Sequence, residues 1–268
     1  MKTESFREIY TTNEGRLRIP LIGFGSALRT EGSKVSIAET RAIQNVGSFI
    51  FSLGIMSRRL KDYIENYRES KWADVPFYEL FLDTQSFFLF VQQFLEDLTF
   101  ILRMSLPHKQ RHQMPANFSD FIPRLRRSVL ASDAPLQVFF VSEQSWFDQI
   151  QALRDDILHR TAYGRERAAT FPELSDVIAA GGGKQEFIRG ADLRSYVGGI
   201  IIRLFVLACL AEDFVRETFI FQNPDALTSL HSASLLAADE YDSDAPSPAG
   251  TGIVTIGREC YDALKFFF

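Results

Sequence analysis

Between residues 77 and 101 the side chains Phe77, Leu80, Thr84, Phe87, Val91, Phe94, Leu98 and Ile101 return every three or four positions. That period fits one face of an α-helix and no extended strand. A stripe this long, about seven turns, cannot be covered by short elements, so the chain must supply other long helices to pack against it. Asp74 and Pro76 suit the start of the helix, and Pro107 stops it. The chain holds 25 phenylalanines, many of them here. Their helical spacing assigns them to a core and not to a ligand-stacking surface.

Partners for this helix can be found on both sides. Upstream, Ser36 and Glu39 form a capping box, and Ile43, Val46, Ile50, Leu53, Leu60, Ile64 and Tyr67 follow a heptad interrupted at Ser57. The spacing predicts a helix ending near Ser70 and pairing antiparallel with the next. Downstream, Asn117 to Leu130 reads as a shorter helix with Pro123 in or near its first turn, while Val138 to Val141 taken alone is compatible with a strand. Trp146, Ile150, Leu153 and Ile157 mark a further helix, and residues 192–221 form a last one that is apolar around most of its circumference. The expected fold is all-α: one bundle of four or five helices over residues 34–222, preceded by an irregular arm, residues 1–33, and followed by a flexible tail, residues 223–268. Within the tail, the acidic, proline-bearing stretch Asp239 to Gly250 is expected to be disordered. The chain ends in Phe266, Phe267 and Phe268, expected to dock on the body or on a partner.

Composition removes several function classes. With 268 residues and 46% hydrophobic content, the chain can bury one sizeable core. A net charge of −5 is incompatible with a broad basic coat, so any nucleic-acid contact must come from a local patch. Arg124, Arg126 and Arg127 supply one, and the segment Arg103 to Arg111 could join it. Cys209 and Cys260 give neither a disulfide framework nor a metal set. The apolar run Val197 to Ala211 is too short for a bilayer and carries Arg203, and the first residues lack a secretory signal, so a cytoplasmic protein without membrane partners is expected. Gly181-Gly182-Gly183-Lys184 is followed by Gln185 and does not meet the phosphate-loop pattern. His108 and His112 have HxxxH spacing, but Lys109 stands where the zincin motif needs Glu, so no metal site is expected.

The most site-like stretch is Ser145 to Gly164. The stripe of Trp146, Ile150, Leu153 and Ile157 leaves Arg154, Asp155 and His159 off the buried side, with Asp155 and His159 one turn apart. Arg154, four residues, then His159, in a helix with an aromatic start, resembles the RxxxxH motif of the HEPN family of small all-helical domains. Arg103 and His108 share the spacing, but Pro107 between them ends the helix. The resemblance covers about residues 74–221. It implies a helical bundle acting as a metal-independent, cofactor-free endoribonuclease of toxin or defence type, with an antitoxin or regulatory protein as a possible partner. It also implies a homodimer in which two motif helices meet across a two-fold axis. That arrangement answers a geometric difficulty, since Arg154 and His159 are about 140° apart around one ideal helix. Some members are silenced by nucleotidylation of a tyrosine two residues beyond the histidine; Thr161 stands there and Tyr163 lies four beyond, so that control does not carry over.

Chemistry gives the motif residues roles in cleavage of RNA by its own 2′-hydroxyl. His159 would move the proton, Arg154 would bind phosphate oxygens, and Asp155 would orient the imidazole. Arg160, with Arg124, Arg126 and Arg127, would bind the strand. The alternative is structural: Asp155 with His159 and Asp156 with Arg160 are i,i+4 pairs of the sort found on solvated helices. The chain would then be a catalytically silent HEPN-like dimerisation or partner-binding module.

Overall fold

The computed structural model describes residues 41–42, 45–46, 49–67, 75–152 and 193–222, and every regular element among them is helical. The helices are α1 (Phe49–Tyr67), α2 (Val75–Ser105), α3 (His108–Arg111), α4 (Phe118–Ser128), α5 (Pro135–Ser142), α6 (residues 144–152) and α7 (Leu193–Gln222). The described fold is an all-α bundle, and none of its helices is long and apolar enough to cross a membrane. Four or five helices were expected; among the described residues there are seven, because α3 is a single turn after Pro107 and a break at Glu143 separates α5 from α6. The arm of residues 1–33, the glycine turn at 181–184 and the tail of residues 223–268 lie outside the described residues.

The 31-residue α2 is the hub. Thr84, Phe87, Val91, Phe94, Leu98 and Ile101 are buried as the stripe requires, and so are Phe88, Leu95 and Leu102 one position further round. The buried arc is wide because α1, α4 and α7 all pack on this helix. Burying each such phenylalanine stabilises the fold by roughly 1.5–3 kcal/mol relative to leaving it in water. On α1, Leu53 and Leu60 are buried as expected, as is Val46 just before it, along with Phe49, whose ring centroid is 4.3 Å from that of Phe94. Ser57, the interruption in the heptad, is also fully buried.

Three contacts fix the relative direction of α1 and α2. Asn45 meets Asp97, Phe49 meets Phe94, and Arg59 forms a two-pronged ion pair with Asp83, each prong 2.9 Å long. Residue numbers rise along one helix as they fall along the other, so the pair is antiparallel, as predicted. The 30-residue α7 covers the other side of α2. Val197, Ile201, Leu204, Phe205, Ala208 and Ala211 are fully buried, in keeping with its apolar circumference.

Two local expectations change. Residues Val138 to Val141, compatible with a strand when read alone, belong to helix α5, which Pro135 opens at its first position. The helix wins because Leu136 and Phe140, four apart, are both buried, while Val138 and Val141 remain 53% exposed. Pro123 sits inside α4 as its sixth residue, in the second turn and not the first. Asn117 is the N-cap, its side chain accepting a bond from the Asp120 amide.

Candidate functional site

The stretch that leads into the motif is described as far as α6, and residues 153–192 lie outside the described residues. Arg154, Asp155, His159 and Arg160 therefore lie outside the described residues. In α6, Trp146, Phe147 and Ile150 are buried, which bears out the first half of the sequence stripe. The helix is fastened to α7 through the break that precedes it. Glu143 accepts a 2.6 Å bond from Nε of Arg203, whose guanidinium also lies 6.0 Å from the Trp146 ring centroid and donates to the Gly199 carbonyl. Arg203, the charge inside the apolar run of α7, thus orients the start of α6.

On its other side α6 faces α4 across a cleft of about 60 Å³. Its apolar wall is built from Leu95 of α2, Phe118 and Ile122 of α4, and Phe147 of α6. The Phe118 and Phe147 rings are 5.2 Å apart, tilted by 49°. Its polar rim is Gln92, Ser119, Gln144, Asp148 and Gln151. Gln144, Asp148 and Gln151 stand at spacings of four and three, one polar line along α6 roughly 125° round the helix from Ile150.

The three arginines predicted to bind RNA have different surroundings. Arg124 is exposed. Arg127, also exposed, turns back along its own helix to donate to the Pro123 carbonyl at 3.0 Å. Arg126 is half-buried and reaches across to α6, its Nη1 donating to Oε1 of Gln144 at 3.2 Å. Gln144 in turn donates to Asp148 at 3.0 Å. Arg126 Nε is buried with no hydrogen-bond partner among the described residues. Only Arg124 and Arg127 keep the solvent-facing placement that sequence reasoning gave all three.

Glu96 holds the cleft's walls together. Its Oε2 accepts a 2.9 Å bond from the Phe118 amide, the first residue of α4, and its Oε1 accepts from Gln92 at 3.0 Å. A carboxylate at a helix N-terminus also meets the positive end of the helix dipole. The next residue of α2, Asp97, about 100° further round, is buried and accepts from Asn45 at 2.8 Å and Gln93 at 3.1 Å. Burial pushes its pKa up, and the two hydrogen bonds only partly oppose that.

His108 and His112, on α3, are exposed and bring their Nε2 atoms to 3.0 Å. They are the nearest approach to a metal-ligand pair, and no group of three or more His, Cys, Asp or Glu side chains that could hold a metal ion occurs among the described residues. Sequence reasoning missed Glu96 and the cleft. The first is a contact across 22 positions that no local pattern encodes; the second had a signal, the polar spacing of Gln144, Asp148 and Gln151. Comparison with known proteins finds no matching family model, no matching curated protein and no matching solved structure.

Proposed function

We propose that this chain is a metal-independent endoribonuclease of toxin or defence type, an HEPN-like bundle whose Arg154, Asp155 and His159 act in a cytoplasmic homodimer. The observation that carries the reading is the face of α6 turned to the cleft. Gln144, Asp148 and Gln151 define it, and the same helical spacing continued along the sequence falls on Asp155 and His159, four and eight residues beyond Gln151. At 100° per residue, Asp155 and His159 fall within about 60° of the Gln144 direction. If the helix continues with that spacing, Asp155 and His159 would share the cleft's face, and Arg127 of α4 would supply a cation for phosphate near it.

The chemistry needs no metal, because the nucleophile is the substrate's own 2′-hydroxyl. His159 moves the proton, Arg154 offsets the charge that builds on the phosphate, and the strand breaks to leave a 2′,3′-cyclic phosphate and a free 5′-hydroxyl. Mixed RNA incubated with the purified protein, with and without chelator, tests the reading. Cleavage should persist in chelator and fall at least about a hundredfold in His159→Ala. Absence of cleavage in every condition, or undiminished cleavage by the variant, rejects it.

A second reading has its own support. The net charge of −5 and the engagement of Arg126 with Gln144 leave little free positive surface among the described residues, which favours a catalytically silent dimerisation or partner-binding module. In that case the partner would be a second copy of the chain or an antitoxin-like regulator.

A further inference from the structure

We infer that the cleft between α4 and α6 is a subsite for one unpaired nucleobase of single-stranded RNA, an inference that rests on the RNA reading above and adds where a base is held. Its size suits a single ring: about 60 Å³ is room for roughly four to six waters. The inner wall offers the tilted Phe118 and Phe147 rings, and a flat base stacks on aromatic side chains with little regard to sequence.

The polar rim selects for a base edge that bears N–H groups. Asp148 presents a carboxylate, and its Oδ1 is steadied by the Gln144 amide. A second acceptor arises from Pro123. A proline inside a helix has no N–H, so the carbonyl four residues earlier, that of Ser119, loses its helical donor. Ser119 and Pro123 both line the cleft, and a Ser119 carbonyl pushed off the helix axis by the Pro123 ring can turn toward it as an acceptor. An imino or amino N–H of uracil or cytosine would supply the donor, and the Gln151 carboxamide can both donate and accept. Arg127, exposed on the same helix one turn beyond Pro123, is placed for a flanking phosphate. The arrangement of apolar floor, acceptor-rich rim and cationic edge matches a nucleotide of a single strand better than a duplex, whose bases are paired and stacked.

The test uses full-length protein carrying His159→Ala, so that no strand is cut, with labelled ten-residue oligouridylate and oligocytidylate followed by fluorescence anisotropy. Ser119→Trp, at an exposed position in the first turn of α4, fills the cleft and should weaken single-strand binding at least about tenfold, the loss of one stacked base. Pro123→Ala gives the Ser119 carbonyl back its helical donor and should weaken binding severalfold while raising helical stability, which separates a lost acceptor from a damaged fold. Duplex RNA should bind weakly and equally to all variants. Unchanged single-strand affinity in Ser119→Trp, or no single-strand binding in the starting protein, overturns the subsite. So does equal competition by uridine monophosphate or by single-stranded DNA, which would point to a free-nucleotide or general strand site. Cleavage by the otherwise native chain that survives Ser119→Trp also rejects the subsite and leaves the enzyme standing. Single-strand binding lost in Ser119→Trp, in a protein that cuts nothing, sustains the subsite and removes the enzyme.

Discussion

The Tyr196 hydroxyl is buried with no hydrogen-bond partner among the described residues, and burial, only partly opposed by the charge of Arg203, pushes its pKa up to about 12. A buried hydroxyl left unpaired costs stability on the order of 1 kcal/mol, so Tyr196→Phe should be more stable by about that much in chemical denaturation at neutral pH. The sign of the pH effect follows from the raised value. The unfolded chain gives up the phenol proton near pH 10, its ordinary value, while the folded chain holds it to about 12, so stability falls as pH rises through that window. The Phe variant should lose that part of the alkaline fall, and an identical slope in the two proteins would mean that the hydroxyl is solvated. Asp97 behaves in the same sense at acid pH. Its carboxyl holds its proton to higher pH than the unfolded value of 3.8, so its contribution is greatest below 3.8 and is lost as pH rises through the folded value. Asp97→Asn should gain in melting temperature relative to the native chain between pH 4 and pH 7, and a constant difference across that range would show that the carboxylate is not penalised by burial.

Among the elements, α4 depends most visibly on one distant side chain. Its N-terminus is held by Asn117 from within and by Glu96 from α2. Glu96→Ala removes the second cap, which is worth about 1 kcal/mol, and frees Gln92 at the cleft rim. Thermal unfolding should shift down by a corresponding amount, with near-native helical content below the transition; no shift would mean that water replaces the carboxylate without loss. The contrast between α2 and α4 shows what the sequence reveals. The α2 stripe was legible because each buried residue repeats the same local period, and the antiparallel pairing with α1 follows from two such stripes joined by a short connection. The polar run Ser142 to Ser145 set two elements apart in the sequence, but the place of the break at Glu143 was not legible, because it is held by Arg203, 60 positions away. The start of α4 at Asn117 was legible, while Pro123 falls in the second turn, where the packing of Phe118, Phe121 and Ile122 tolerates it. At the candidate site the sequence supplied the motif and the arginines, while the cleft required three helices to be brought together.

At the scale of the whole molecule the question is how one helix can use both Arg154 and His159. On an ideal helix about 140° would separate them, and the spacing of Gln144, Asp148 and Gln151, carried on along such a helix, would reach Asp155 and His159 and leave Arg154 to one side. A two-fold dimer resolves this if the arginine of one chain faces the histidine of the other, so that each working pair is composite. The arrangement predicts complementation between two dead proteins. Arg154→Ala and His159→Ala should each be inactive alone. In a mixed dimer one Arg–His pairing combines the two intact residues and the other combines the two alanines. Random exchange makes about half of the dimers mixed, each with one of two pairings restored, so about a quarter of native cleavage should return. Sedimentation should report dimers for each protein at tens of micromolar. A pairing within one chain leaves no intact site in any mixed dimer, so activity that stays at the level of the separate variants, after exchange is shown by tagged pull-down, places both residues in the same chain and removes the composite site.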